Sequence, residues 1–401
     1  MACGARYYDN MTQKTLAGKQ IVIGVTGSIA AVELVKLIHE LRRRGADVRV
    51  VMSAAAAGIV TPDALAYASG HEVITRISGL VEHVTFCGDE RTADLLLIAP
   101  CTANTLSKIA CGIDDTPVTT FATTALGSRM PVILVPAMHH SMYRHPALLE
   151  NIRRIKDWGV EVMEPRIEEG KAKMPTQEEI VLWCERAVFD HPLAGKRVLI
   201  TSGACREAVD DVRVLTTRSS GQMGRALALA AFRLGAIVTV VHRDTFPCVS
   251  NIAAGSAVEM RNAVLGFLKK QGGTDIYLSA AAISDFAPQP VEGKIASGQP
   301  ATLVLEQLPK LINEVIGQFH PFTVAFKINR SPETGARSLL EQGVSMVLMN
   351  TPETMGSTYG RYTILDAQGS TTLHGPKEDI ASEIFHKIVG IPVTDPVPER
   401  G

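Results

Sequence analysis

The sequence has few aromatic residues and no closely spaced pair of cysteines. Aromatic residues make up 5% of its 401 residues, and the seven cysteines are widely separated, with no Cys-x-x-Cys pair. This spacing predicts neither a disulfide framework nor a zinc site. We expect most of the cysteines to be small buried apolar residues.

An excess of charge and a long apolar segment are also missing. The chain has 40 Lys and Arg against 41 Asp and Glu, with a formal net charge of −1, and its basic residues are scattered. Nothing in this pattern predicts binding to nucleic acid or to an anionic membrane. Residues 1–14 lack the apolar core of a signal peptide or a membrane span, so we expect a cytoplasmic protein that acts on small molecules.

Apolar strands and helical stretches alternate along the chain, which is long enough for two domains. In the first half, strands are predicted at residues 20–25, 47–52, 95–99 and 132–135, and helices at 29–44, 103–110 and 177–188. After a linker at 190–195, strands are predicted at 197–200, 237–241, 275–278, 322–326, 344–349 and 362–365, and a helix at 222–234. The pattern predicts an α/β fold of two doubly wound, mostly parallel, three-layer Rossmann-like domains, residues 1–189 and 190–401. A Pro-rich tail from residue 391 is expected to be disordered.

The turn after the first strand is a candidate phosphate site. Gly27 and Ser28 begin a predicted helix, where backbone N–H groups and the Ser28 hydroxyl favour an anion. An ordinary N-cap at Ser28 is an equally good interpretation. The second strand ends in Met52 and Ser53 instead of the acidic residue that binds the ribose of NAD, so a nicotinamide dinucleotide is disfavoured.

Two polar motifs follow the third and fourth strands, at the edge where open α/β sheets bind ligands. They are Pro100-Cys101-Thr102-Ala103-Asn104-Thr105 and Pro136-Ala137-Met138-His139-His140-Ser141-Met142-Tyr143. They resemble the Pro-Ala-Ser-Ala-Asn-Thr and Pro-x-Met-Asn-x-x-Met-Trp motifs of the flavin-dependent cysteine decarboxylases. The resemblance implies oxidation of a cysteinyl thiol by FMN to a thioaldehyde, loss of carbon dioxide and return of the electrons to the enethiol.

The same resemblance implies roles for individual residues. FMN would be held by Gly27, Ser28, Ser53, Thr61 and Thr102, substrate would be bound by Asn104, His139 and Met142, and His83 would be catalytic. Two bland alternatives stay open: Asn104 as a helix cap, and His83 as a surface or core histidine.

Two departures from the bacterial pattern are expected of archaeal relatives. His139 stands where the motif has Asn, and an imidazole replaces only part of an amide's hydrogen bonding. Residues 164–174, which correspond to a flexible clamp, lack the Cys that donates the last proton in bacterial members. Lys171 or Lys173 could supply charge or a proton there, although a solvated loop is the favoured interpretation.

The second half resembles the phosphopantothenate–cysteine ligases in three motifs. These are Thr201-Ser202-Gly203-Ala204-Cys205-Arg206-Glu207 with Asp210-Asp211-Val212-Arg213, Ser219-Ser220-Gly221-Gln222-Met223-Gly224, and Ala280-Ala281-Ala282-Ile283-Ser284-Asp285-Phe286 with Lys294 downstream. The resemblance implies nucleotide binding by Gly203, Ser219, Ser220, Gly221, Ala281, Asp285, Lys294, Phe326 and Asn350. By the same resemblance, Lys294 would be catalytic and Asp285 would be a Mg²⁺ ligand.

Structural alternatives exist for these residues as well. The serines could cap a helix with close packing at Gly224, Lys294 could be a surface charge, and Asn350 could be a turn residue.

The second half also departs from the family pattern. Thr217 replaces the Asn that stabilises the acyl-cytidylate, and Cys205 replaces a Thr. Bacterial members direct helix lysines at the triphosphate, and these positions are Ser338 and Gln342 here. Arg330 or Arg337 could compensate for the missing lysines. The sequence therefore leaves open whether the nucleotide is CTP or ATP.

Taken together, residues 19–389 resemble the fused decarboxylase and ligase of coenzyme A biosynthesis, in its archaeal-type version. The resemblance implies CTP-dependent ligation of 4′-phosphopantothenate with cysteine, then FMN-dependent decarboxylation of 4′-phosphopantothenoylcysteine to 4′-phosphopantetheine. Trimers of the first domain and dimers of the second would give a homo-oligomer, up to a dodecamer. The alternatives are a ligase with an inactive flavin-binding first domain, and a non-catalytic regulatory flavoprotein.

Overall fold

The computed structural model describes residues 14–296, 298, 300–329 and 331–390. These residues form two compact units, divided between Phe189 and Asp190. The tail from residue 391 and Arg330 lie outside the described residues. Within the described ranges, no helix has the length and apolar character needed to cross a membrane.

A five-stranded parallel sheet forms the centre of the first unit. The strands of this unit are β1 (Gln20–Val25), β2 (Asp47–Met52), β3 (Leu95–Cys101), β4 (Val132–Pro136), β5 (Met138–His139), β6 (Glu161–Val162), β7 (Arg166–Glu168) and β8 (Lys171–Lys173). The helices are a 3₁₀ turn (Ile29–Glu33), α1 (Leu34–Arg43), α2 (Ala54–Ala57), α3 (Pro62–Ser69), α4 (Glu82–Cys87), α5 (Ala103–Ala110), α6 (Pro117–Gly127), α7 (His140–Tyr143), α8 (Pro146–Asp157) and α9 (Gln177–Val188). The strand order is β2-β1-β3-β4-β6, and β5, β8 and β7 form a separate antiparallel sheet.

Alternation along the buried strands builds a core on each face of this sheet. All seven residues of β3 are buried, with Leu95 and Leu97 in one apolar cluster and Leu96 and Ile98 in the other. Because successive side chains of a strand point to opposite faces, a continuous apolar run is what a sheet covered by helices on both sides requires. Each such side chain contributes about 1.5–3 kcal/mol on burial.

The predicted helix at residues 29–44 is wound more tightly at its start than expected. The amide of Ala31 donates to the Ser28 carbonyl at 2.9 Å, which gives a 3₁₀ turn, and the α-helix begins only at Leu34. The first strand pair and the closing helix α9 agree with the predicted bounds.

An eight-stranded sheet forms the second unit. The strands of this unit are β9 (Arg197–Thr201), β10 (Arg206–Ala208), β11 (Val214–Thr216), β12 (Ile237–His242), β13 (Ser250–Ala253), β14 (Ile276–Ser279), β15 (Phe286–Pro288), β16 (Leu305–Gln307), β17 (Phe322–Ile328), β18 (Met346–Asn350), β19 (Tyr359–Asp366) and β20 (Gly369–Pro376). Strands β10 and β11 form a separate two-stranded sheet, as do β15 and β16. The helices are α10 (Gln222–Arg233), α11 (Ala257–Gln271), α12 (Leu311–Phe319), α13 (Glu333–Glu341), a 3₁₀ turn (Pro352–Thr354) and α14 (Lys377–Ile388). The order is β13-β12-β9-β14-β17-β18-β19-β20.

The fold class predicted from the sequence is confirmed, with one antiparallel addition. Neighbouring strands pair in parallel along the order β13-β12-β9-β14-β17-β18, whereas β19 pairs antiparallel with both β18 and β20. The sequence indicated only residues 362–365 of this hairpin. Strand β20 was missed because its Gly-Ser-Thr-Thr start is polar and exposed, so it lacks the apolar run of a central strand.

Most described cysteines are buried, as expected from their spacing. Cys87, Cys101, Cys184 and Cys205 are inaccessible to solvent, whereas Cys111 is exposed. Burial raises the pKa of the Cys87 and Cys205 thiols to about 12, so both stay protonated at neutral pH.

Gly224, in α10, packs closely against Ser202, the residue that follows β9. A Cβ atom at this position would lie 2.1 Å from the Ser202 Oγ atom and 2.5 Å from its Cβ atom. We expect Gly224→Ala to lower the free energy of unfolding of this unit by about 1–3 kcal/mol, because α10 must move away from β9. Differential scanning calorimetry of the full chain would measure the shift.

Gly266→Ala is the matched control for that substitution. Gly266 lies in the exposed interior of α11 with no heavy atom within 4 Å of the added Cβ, so alanine should stabilise the helix by about 1 kcal/mol. Equal melting behaviour of the two variants would contradict the packing argument.

Candidate functional sites

The carboxyl ends of β1, β2, β3 and β4 open on one cavity of about 770 Å³. Seven residues predicted from the sequence line it: Gly27, Ser28, Ser53, Thr102, Asn104, His139 and Met142. The strand order reverses between β1 and β3, so the cavity lies at the switch point where doubly wound sheets bind ligands. Its volume is typical of a cofactor or substrate site.

Ser28 offers unpaired donors at one end of this cavity. Ser28 is the N-cap residue of the 3₁₀ turn, as the alternative interpretation expects, but its side chain makes no capping hydrogen bond, so the hydroxyl is left for a ligand. The amides of Ile29 and Ala30 likewise donate to no acceptor in the described part of the chain. Gly27 is needed for close approach to α2, since a Cβ there would lie 2.7 Å from the Ala55 Cβ. Two amides and a hydroxyl are therefore available to an oxyanion.

The Asn104 amide is free for a ligand. Thr102 is the N-cap of α5, with its hydroxyl accepting from the Thr105 amide at 3.3 Å. Asn104 is the second residue of the helix, and its exposed side chain makes no hydrogen bond to the described residues. The alternative of Asn104 as a helix cap is therefore wrong.

Like Thr102, the predicted residues Ser53 and Thr61 are helix caps. The Ser53 hydroxyl accepts from the Ala56 amide at 3.3 Å while still lining the cavity. The Thr61 hydroxyl accepts from the Ala64 amide at 3.3 Å, and Thr61 is exposed and not among the lining residues. Contact of Thr61 with a flavin stays a prediction.

Residues 164–174 form a hairpin instead of the expected loop, although residues 166–171 are exposed to solvent as that interpretation requires. Strands β7 and β8 pair as a hairpin, with Glu169 and Gly170 at φ +50° and +69° in the turn, and β8 pairs with His139 through Lys171. Such left-handed pairs suit a two-residue hairpin turn. Residues of both strands line the cavity.

Among the cations that line this cavity, Lys171 stands apart. Lys108 pairs with Asp115 at 2.7 Å, Arg166 with Glu168 at 3.2 Å, and Lys173 with Glu169 at 2.9 Å. Within the described residues, the Lys171 ammonium forms no ion pair or hydrogen bond. Its charge is thus available to a bound anion.

His83 does not line the cavity. It lies in α4, whose first turn is fixed by hydrogen bonds from Ser78 to the Glu82 carboxylate, the amide bond being 3.0 Å. The His83 ring meets Phe121 edge to face at 6.4 Å, and its Nδ1 atom is buried without a partner among the described residues. Chemistry at His83 thus requires a second surface beside α4.

Two adjoining clefts lie at the corresponding edge of the second unit, where its strand order reverses between β9 and β14. One has a volume of about 150 Å³ and is lined by Gly203 and Thr217, and the other, of about 60 Å³, by Phe326 and Asn350. Ser219, Ser220 and Gly221 line both.

The serines at the start of α10 do not cap it. The N-cap residue is Gly221, which has a left-handed conformation with φ +72°. The helix therefore starts without a capping hydrogen bond from a side chain. The hydroxyls of Ser219 and Ser220 make no hydrogen bond to the described residues. The capping alternative is wrong, whereas the close packing at Gly224 is confirmed. Hydroxyls and first-turn amides are free for an anion.

The second cleft combines the predicted Phe326 and Asn350 with Tyr362 and Lys377, which the motifs did not indicate. Asn350 ends β18 and is buried, so it is not a turn residue. Phe326 meets Tyr362 edge to face at 6.3 Å, and Lys377 lies beside them. No local sequence signal marks Lys377, which simply follows Pro376 at the start of α14.

Ala281, Asp285 and Lys294 line neither cleft. Both Asp285 and Lys294 are exposed. Asp285 directly precedes β15, and Lys294 lies in the connection between β15 and β16. Within the described ranges, no group of three His, Cys, Asp or Glu side chains is placed to hold a metal ion. A Mg²⁺ ion would need the phosphates of a nucleotide as its main ligands.

The Asp210 carboxylate fixes the segment that carries Lys294. It accepts from the amides of Val212 at 2.8 Å and Ile295 at 3.0 Å, and it contacts the Arg213 guanidinium. Burial alone would raise the pKa of Asp210, but the hydrogen bonds from Ile295, Val212 and Arg213 outweigh it and hold the pKa at about 2. The carboxylate is thus charged at neutral pH.

Comparisons with known proteins cover both units. Residues 9–188 match the "Flavoprotein" family and residues 193–391 match the "DNA/pantothenate metabolism flavoprotein C-terminal domain" family. A solved "C-terminal Domain of Coenzyme A biosynthesis bifunctional protein CoaBC" is 27% identical with a TM-score of 0.42, covering 50% of this chain and 97% of its own.

Two full-length relatives match almost the whole chain. The "Coenzyme A biosynthesis bifunctional protein CoaBC" of Thermococcus kodakarensis is 43% identical over 393 residues, covering 94% of this chain and 96% of its own. The protein of the same name from Methanocaldococcus jannaschii is 33% identical, covering 94% of each chain. The chain therefore belongs to the family of coenzyme A biosynthesis bifunctional proteins.

Proposed function

We propose that this chain ligates 4′-phosphopantothenate with cysteine at the expense of CTP and then decarboxylates 4′-phosphopantothenoylcysteine with FMN to give 4′-phosphopantetheine. The observation that carries the proposal is the pair of sites at the two switch points, one a large cavity and one a pair of small polar clefts. Family membership over nearly the full chain supports both activities.

The residues of the first cavity fit FMN. Ser28 and the amides of Ile29 and Ala30 would bind its phosphate, while Ala55 and Ala103 provide apolar wall for the ring system. When bound, the cofactor would accept two electrons from the substrate thiol and return them after carbon dioxide has left. The Asn104 amide would orient the substrate by hydrogen bonds.

In the second unit, Ser219, Ser220 and the first turn of α10 would bind phosphate oxygens of a substrate. Lys294 would neutralise the charge that develops when the carboxylate of 4′-phosphopantothenate attacks the nucleotide. Because Asp285 and Lys294 lie outside the clefts of their own unit, we infer that the working enzyme is a homo-oligomer.

Product analysis tests the whole proposal. Purified protein is given 4′-phosphopantothenate, cysteine, Mg²⁺ and either CTP or ATP, after its visible spectrum has been recorded, and the products are identified by mass spectrometry. We expect a yellow protein that forms 4′-phosphopantetheine with CTP. Accumulation of 4′-phosphopantothenoylcysteine would indicate a ligase with an inactive flavin-binding unit, and no product with either nucleotide would indicate a regulatory flavoprotein.

Lys171 is the group proposed to take the place of the missing clamp cysteine. Its Nζ atom would supply the proton that accompanies return of the electrons to the substrate. We expect Lys171→Met to lower kcat for decarboxylation at least tenfold, with the flavin spectrum unchanged, in a carbon dioxide release assay. Lys173→Met is the matched control, since that ammonium is held by Glu168 and Glu169; equal losses in both variants would contradict the role of Lys171.

His83 is proposed to act on the cavity of a neighbouring copy. His83→Asn and Asn104→Ala should each abolish decarboxylation, because one removes the contribution of α4 and the other the substrate contact. Random mixing of the two chains by coexpression should restore roughly a quarter of the sites, since one site then combines an intact residue from each copy. Recovery is measured as carbon dioxide release per flavin. Failure of mixed oligomers to recover would mean that His83 does not act between copies.

A further inference from the structure

A lysine without a counter-ion is buried in the second unit. Lys377 is 7% exposed, and its ammonium donates only to the Thr354 carbonyl, at 3.3 Å. Within the described residues no carboxylate pairs with it. Burial lowers the pKa of Lys377, because a cation out of water is destabilised. An ammonium group has three N–H donors, so two are left for something outside the chain.

The position of Lys377 in its helix makes this arrangement more costly. It is the first residue of α14, a twelve-residue helix whose amino terminus carries partial positive charge. Cations are disfavoured at this end of a helix and anions are favoured. A buried cation placed there is stabilised only when an anion lies beside it.

Asn350 faces the same cleft with half of its amide unsatisfied. Its Nδ2 atom donates to the Thr354 hydroxyl at 2.7 Å, while its Oδ1 atom is buried and has no partner in the part of the chain that is described. Buried acceptors are normally hydrogen-bonded. A ligand hydroxyl would satisfy this acceptor.

The start of α10 completes the set of donors around this cleft. Ser219, Ser220 and Gly221 line it together with Lys377 and Asn350. A cation, two free hydroxyls and first-turn amides favour a phosphate, and the orphan amide oxygen favours a hydroxyl on the same molecule.

We propose that Lys377 anchors the phosphate of a substrate in this cleft, with Ser219 and Ser220 donating to the same group and Asn350 accepting from a ligand hydroxyl. The identity of the substrate rests on the proposed ligase function. A nucleoside triphosphate and 4′-phosphopantothenate both carry phosphate and hydroxyl groups, and the test separates them.

Binding of three probes to the full-length protein tests the site by isothermal titration calorimetry. The probes are CTP, 4′-phosphopantothenate and inorganic pyrophosphate, each alone, with wild type, Lys377→Met and Lys377→Arg. We expect the methionine variant to bind pyrophosphate and one of the two substrates at least tenfold more weakly, and arginine to restore most of the affinity. The substrate affected identifies the occupant.

Lys387→Met is the matched control on the same helix. Its ammonium pairs with Asp366 at 3.2 Å and is not a lining residue of the cleft, so all three affinities should stay at the wild-type values. Lys377→Met removes a buried charge that has no counter-ion, so the variant should melt at or above the wild-type temperature.

Three results are decisive. Wild-type affinity of Lys377→Met for all three probes would overturn the anion site. Binding of pyrophosphate to the wild type, lost in Lys377→Met, with no binding of either substrate, would support the anion site and contradict the ligase function. Absence of binding of any probe to the wild type would overturn both.

Discussion

Hydrogen bonds between the ends of central strands hold both sites in place. In the first unit, the buried Thr26 hydroxyl donates to the Pro100 carbonyl at 2.7 Å and accepts from the Thr102 amide at 3.0 Å. The turns after β1 and β3 are thereby fixed side by side at the switch point. In the second unit, the Ala282 amide donates to the Gly203 carbonyl at 2.8 Å across the same kind of gap. Without these links, the free donors that follow each strand would not converge.

The same architecture gives two different kinds of site because different segments cover it. In the first unit, the hairpin of β7 and β8 borders a large cavity with apolar walls, which suits a flat cofactor and its substrate. In the second unit, the start of α10 packs against β9 through Gly224, so only small clefts rich in hydroxyls and amides are left. Phosphate groups, which need many donors in little space, suit such clefts.

The buried polar groups of the second unit differ in how many hydrogen-bond partners the chain itself provides. The Asp210 carboxylate is surrounded by donors, and its low pKa follows from them. The Lys377 ammonium, by contrast, donates to a single carbonyl, and the Asn350 Oδ1 atom accepts from no donor among the described residues. The satisfied group fixes the position of the Lys294 segment, whereas the unsatisfied groups are the ones with capacity for a ligand.

Sequence alone determined the two α/β units and most of the cavity lining, because a polar motif directly after an apolar strand has to lie at the carboxyl edge of a parallel sheet. Gly27, Thr102 and Asn104 were found in this way. The family resemblance also implied roles for His83 and Lys294, but not their distance from the cavity and clefts. Only the tertiary structure decided that residues 164–174 form a hairpin, since that depends on pairing with His139. It also placed Lys377 beside Asn350 and Ser219, because α14 packs on α10. These two helices are far apart in the sequence, and the apolar packing that joins them leaves no local motif.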